Sequence, residues 1–221
     1  ATPAKLSIGG NLTINSLSNV TAVIAAGSGS GNSGFLDLTG NPRALTIGNG
    51  TAEIDLVVNL ALTNGALAKA GAGTLSLNAA STYAGGTTIS AGRLIINNRT
   101  NSGTGLGSVA VIGGFLSGTG SISGVVTLNS PGTLAPGLPT ALGKLTLGSA
   151  PVLIGTNLLR VDRNGGAPVS DQLALTAGTL NYGGTLSVSN SGSALLGGES
   201  FTLFSAASYS GSFALTNLPP L

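Results

Sequence analysis

Cysteine, methionine, tryptophan and histidine are all absent from these 221 residues. Without cysteine there is no disulfide, no thiolate nucleophile and no thiolate metal ligand. Without histidine, the side chain that most readily takes and gives protons near neutral pH is missing. Charge is scarce as well. Asp, Glu, Lys and Arg make up 6% of the chain, against about a quarter in ordinary globular proteins. The eight basic and six acidic side chains are scattered singly, so no basic stripe can follow a phosphate backbone, and nucleic acid is excluded as a partner. No apolar run approaches the roughly 18 residues of a spanning helix, so the chain holds no membrane-spanning segment of that kind.

Glycine, in contrast, is abundant, at 37 residues, and 42% of the chain is hydrophobic. Apolar content this high excludes disorder of the highly charged, weakly hydrophobic type. The glycines keep no three-residue period, which excludes collagen. They stand between short runs in which apolar and polar residues alternate, the mark of half-buried strands bounded by corners. Ala66 to Asn97 shows this most clearly, with runs at Gly73–Leu77, Gly86–Ser90 and Gly92–Asn97. These three runs are expected to make one turn of a solenoid. Nothing in this stretch has helical period.

The same stretch resembles a known repeat. Lys69-Ala-Gly-Ala-Gly-Thr-Leu-Ser-Leu-Asn78, followed by Ser81-Thr-Tyr-Ala-Gly-Gly-Thr-Thr-Ile-Ser-Ala-Gly92, is similar to the autotransporter-associated β-strand repeat of bacterial surface proteins. Weaker matches are Pro131–Gly137 running into Gly143–Leu147, and Ser200–Ala206 with Tyr209–Phe213. The resemblance implies an all-β, single-stranded, right-handed parallel β-helix (a β-solenoid) on a bacterial cell surface, and implies no activity. Parallel crossovers are right-handed in general, which agrees. With roughly 22 residues per turn and about 4.8 Å between strands, the chain is expected to form about ten rungs and a rod of about 50 Å.

Three regions are expected. Residues 1–34 hold two alternating strands, an apolar run and the glycine/serine octet Gly27–Gly34, which reads as a long corner loop or a hinge for an assembly segment. Residues 35–147 carry regular rungs, ending near Pro131, Pro136 and Pro139, where strand hydrogen bonding must pause. Residues 148–221 have longer connections and read as terminal rungs or a cap. Ala1–Ala4 lack the pattern of a leader, so a signal peptide is expected to have been removed or to lie outside this chain. Leu221 reads as a processed or internal end.

The acids are Asp37, Glu53, Asp55, Asp162, Asp171 and Glu199. Glu53 and Asp55 form the one local carboxylate pair, expected on the solvated face of an alternating strand. Arg160, Asp162, Arg163 and Asp171 form the densest charge cluster, expected to be a surface salt-bridge set of under about 1 kcal/mol per pair. The phenylalanines are assigned to core and cap packing. Asn11, Asn19, Asn49 and Asn98 begin N-x-[ST] sequons of the kind that arise by chance in so polar a chain. No G-x-S-x-G elbow and no calcium-type glycine/aspartate repeat occurs. The sequence therefore yields no catalytic, cofactor-binding or metal site, implies no cofactor, and argues against an enzyme.

Two functional readings follow. The first is a structural extracellular subunit that self-associates into a fibre or matrix filament, with itself as partner, through end-to-end strand contacts or a donated strand. The alternative is a monomeric adhesin or passenger stalk that displays a face to cell-surface glycans or other cells.

Overall fold

The structure, a computed structural model, describes residues 4–16, 19–26, 34–163 and 169–220. These residues form strands and no helix. Strand pairing is parallel almost throughout. The exception among the named strands is Val169–Ser170, which runs antiparallel to Thr156–Asp162. The chain is thus a parallel β-solenoid.

The longest sheet stacks nine strands in a row, beginning at residues 22, 56, 74, 93, 115, 133, 156, 185 and 215. From residue 56 to residue 156 successive starts lie 18 to 23 residues apart, whereas towards either end they lie 29 to 34 apart. A second side stacks seven strands, from Leu12–Ile14 to Val152–Leu153. Thr179–Tyr182 and Ser208–Gly211 pair further along the rod. The third side begins with Ala4–Ser7, Gly34–Asp37 and Ala61–Thr63 and ends with Ser121–Ile122, Lys144–Leu147, Gln172–Leu175 and Phe204–Ser205. Between these groups the backbone still connects level to level. Thr82 N–H donates to Leu62 O at 2.9 Å, Ser81 N–H to Ser102 O at 2.8 Å and Gly103 N–H to Ser121 O at 2.9 Å.

The three alternating runs are present as Thr74–Leu77, Thr87–Ile89 and Arg93–Ile96, but they do not close one turn. Thr74–Leu77 and Arg93–Ile96 are neighbours in the same sheet, Leu75 against Leu94 and Leu77 against Ile96. The third side of that turn passes through residues 81–84 without a ladder strand. Tyr83 fills the interior there, fully buried, its hydroxyl 2.6 Å from Thr87 Oγ1. A buried phenol with a hydroxyl partner keeps the core closed without a strand.

Alternation along the strands becomes rows along the rod. Leu56, Leu75, Leu94, Leu116 and Leu134 stand one above another, as do Ile89, Val111, Leu128 and Leu153. All are buried. Each contributes about 1.5–3 kcal/mol when fully buried. Corners need glycine for a steric reason best seen at Gly92. Its φ is +66°, and a Cβ there would lie 2.4 Å from the carbonyl oxygens of both Gly71 and Gly73. Asparagines stack at another corner: Asn78 Nδ2 donates to Asn59 Oδ1 at 2.8 Å, one level below.

Pro136 ends Thr133–Pro136, and residues 137–141 then make a tight antiparallel turn, Leu138 paired with Ala141. The glycine/serine octet, Gly34 excepted, lies outside the described residues. Gly34 opens the strand Gly34–Asp37.

Candidate functional site

The carboxylate pair is not on a strand face. Asp55 is fully buried. Its Oδ1 accepts from Gly50 N–H at 2.7 Å and its Oδ2 from Thr74 N–H at 2.8 Å, so it ties a corner to the strand of the next level. Glu53 is exposed and accepts from the Thr140 hydroxyl at 3.2 Å, across 87 residues of chain. The expectation of a solvated pair is therefore wrong for Asp55. Proximity in sequence placed the two together, while the corner between them turned one inward.

The Arg160 cluster is likewise not a surface set. Asp171 is 1% exposed, and Arg160 Nε donates to its Oδ2 at 2.7 Å. The guanidinium also donates to the carbonyls of Leu138, Pro139 and Ala141 at 2.7–2.8 Å. Asp171 accepts further from Gly143 N–H at 2.9 Å. Together they pin the turn after Pro136 against the outer side of the longest sheet. Arg163 instead pairs with Glu199 at 3.1 Å. Backbone donation from Leu196 is the main cause that holds the Glu199 carboxyl below its ordinary range. Among the described residues, no three acidic or metal-ligating side chains converge on one point.

Two cations that the sequence did not single out have unusual surroundings. Lys69 faces the core in register with Leu45 and Ile89 and is fully buried. Its Nζ donates to the carbonyls of Ala70, Gly71 and Ala91 at 2.8–3.1 Å. Burial pushes the ammonium down to about 8, against the opposing pull of Asp55. The signal was in the alternation, since Lys69 shares the parity of buried Leu67. Arg93 lies with its guanidinium 4.5 Å from the centre of the Phe115 ring.

Among the described residues, the first and last levels have no further level paired to them. At the first, Leu6, Leu12, Ile14 and Ile24 occupy the inward rows of Leu36, Leu45, Ile47 and Val58, with no further level among the described residues; Leu6 is 50% exposed. At the last, Tyr209 and Thr216 stand over Leu180 and Leu186, both exposed, and Phe204 over Leu173. Tyr182, Phe204, Tyr209 and Phe213 cluster there, with contacting ring centres 4.8–5.7 Å apart, and Tyr182, Phe204 and Phe213 line an open cavity of about 700 Å³. Phe204 and Phe213 are half-buried and pack among these rings. Of the sequons, Asn98 is buried, its amide donating to Thr100 O and Asn101 O, whereas Asn11, Asn19 and Asn49 are exposed.

Parallel sheets wound around an aliphatic interior define a parallel β-solenoid. Residues 67–96 match the family model of the passenger-associated transport repeat. A stretch of 113 residues is 35% identical to the adhesin BmaC autotransporter of Brucella suis biovar 1 (strain 1330), covering 48% of this chain and 3% of that protein. The chain therefore corresponds to a small part of that relative's length. No solved structure matches it significantly. No helix among the described residues is long and apolar enough to cross a membrane.

Proposed function

We propose that this chain is a structural, non-enzymatic solenoid segment of an extracellular bacterial surface protein, and that copies join end to end into a filament. The observation that carries the reading is the character of the two ends. Among the described residues, each presents sheet edges and aliphatic or aromatic side chains with no further level paired to them. Lys5 is the only charge in residues 1–26, and none occurs in residues 200–221. Natural edges are normally guarded by charge or a covering element, and these are closed most simply by another rung of the same geometry. The passenger-repeat match supports the extracellular placement.

Electron microscopy and light scattering of the chain at micromolar concentration test the reading. Unbranched filaments with a layer spacing of about 4.8 Å, abolished when Leu6→Lys and Thr216→Lys charge both ends, support it. Monodisperse rods from the unaltered chain reject polymerisation. A second reading, a monomeric stalk that displays its side, is favoured by the match to an adhesin, and those rods would select it.

A further inference from the structure

We propose that the cleft between Arg93 and Arg160, on the side of the rod, binds the carboxylate of an acidic sugar. The cleft has a volume of about 110 Å³ and is walled by Pro136, Leu138, Pro139 and Leu158. Its position makes it independent of any joining of the ends.

Arg93 is held ready for an anion. Its guanidinium lies against the Phe115 ring, and Nη1 donates to Ser117 Oγ, itself on a fully buried residue. Both contacts restrict rotation of the long side chain. Among the described residues only that one N–H of the guanidinium has an acceptor, although the group carries five. Among the described residues no carboxylate is seen to pair with Arg93, while Arg160 pairs with Asp171 and Arg163 with Glu199. Burial, and then the charge of Arg160, both disfavour its protonated form. A half-buried cation that has lost water and found no counter-ion is stabilised when an anion enters.

The number of charges selects the anion. Asp171 already neutralises Arg160, which leaves an excess of one positive charge in the cleft. A monoanion matches it, and the planar fork of a guanidinium fits a carboxylate with two parallel hydrogen bonds. At roughly 30 Å³ per water, the space holds three or four waters, enough for a carboxylate with its adjoining carbon. The carrier must remain at the mouth, against Pro139 and Leu158, where the C–H face of a sugar ring meets an apolar wall.

The test is a titration of the whole chain at neutral pH and low salt, followed by the amide resonances of Arg93, Ser117, Leu138 and Ala141. Sodium glucuronate is expected to shift them saturably and glucose to leave them unmoved. Arg93→Gln weakens binding at least about tenfold, the worth of a charge-assisted pair. Pro139→Glu, which adds a negative charge at the mouth without touching Arg93, does the same. Arg99→Gln, at an exposed arginine outside the cleft, changes nothing. No response to glucuronate, an equal response to glucose, or unchanged binding in a folded Arg93→Gln chain overturns the site. Acetate binding as tightly as glucuronate overturns the sugar and leaves only a carboxylate.

Discussion

The middle of the rod and its two ends are made of the same strands, yet they differ in what lies above and below them. In the middle, Thr74–Leu77 is buried at every residue. At the ends, Ala4–Ser7, Ser208–Gly211 and Leu215–Asn217 are exposed at every residue. In the longest sheet, levels in the middle follow each other after 18 to 23 residues, and those at the ends after 29 to 34. A strand in a solenoid is therefore buried by its neighbours along the rod, and stability is set mainly by nearest-level contacts. The same substitution should cost much in the middle and little at an end.

The sharpest break of that contrast is Leu75→Asp against Leu6→Asp. At Leu75 a charge would enter a closed aliphatic row, losing about 1.5–3 kcal/mol of burial and adding several more for the unpaired carboxylate. That sum is comparable with the whole stability of a domain, about 5–15 kcal/mol. Loss of the far-UV strand signal is expected. Leu6→Asp, with half of the side chain in water, should shift the urea midpoint only slightly. Equal effects would show that the end is as closed as the middle.

Next comes Asp171→Ala, which strips Arg160 of its buried partner and frees the turn after Pro136. Breaking a buried pair on one side costs about 3–5 kcal/mol. Urea denaturation should show that loss, and proteolysis should begin within residues 137–143. A smaller change would mean that the carbonyls of Leu138, Pro139 and Ala141 hold Arg160 without help.

Gly92→Ala against Gly10→Ala is expected to follow. Ala at position 92 must adopt φ +66° and displace two carbonyls, a strain of at least about 1–3 kcal/mol. Gly10 has nothing within 4 Å of an added Cβ. Thermal unfolding should separate the two variants clearly, and parity between them would refute the role of glycine in the stacked corners.

The smallest expected effects concern pH. In the folded chain the Lys69 ammonium loses its proton at about 8, below its ordinary 10.5. Between those values the unfolded chain binds more protons, so stability should rise as pH increases from about 8. Burial raises the Tyr83 phenol well above 10.0, so its contribution is lost only as pH rises past that value. Lys69→Met should flatten the slope between pH 8 and 10. At the open end, Lys5 and Thr39 N–H hold Asp37 below 3.8. That contribution is present above 3.8 and disappears as the pH falls through the lowered folded value, and Asp37→Asn should remove it. An unaltered pH profile in either variant would reassign the titration.

Much of the fold was legible because a strand writes itself as alternation and a corner as glycine. The strands that carry Leu75, Leu94 and Leu116 could be read from local pattern alone, but not their stacking in one row. What was misread lies where the pattern is interrupted. Ser81–Ala84 looks like a corner and is instead the third side of a turn, its interior filled by Tyr83. Asp55 looks like a solvated strand residue and caps two backbone donors inside a corner. Lys69 could have been placed in the core from its parity with Leu67, but an ammonium there is admissible only because three carbonyls happen to converge on it.

By itself the sequence determined the class of architecture. Scarce charge, abundant glycine and period-two alternation leave short strands with tight corners as the stable arrangement, and the Lys69–Gly92 motif names the repeat. Only the tertiary structure decided which strands are vertical neighbours, which carboxylates are buried, and that Arg93 stands without a counter-ion while Arg160 has one. Those outcomes depend on residues one or more turns apart. Their contact is set by the length of every corner between them, which local pattern does not encode.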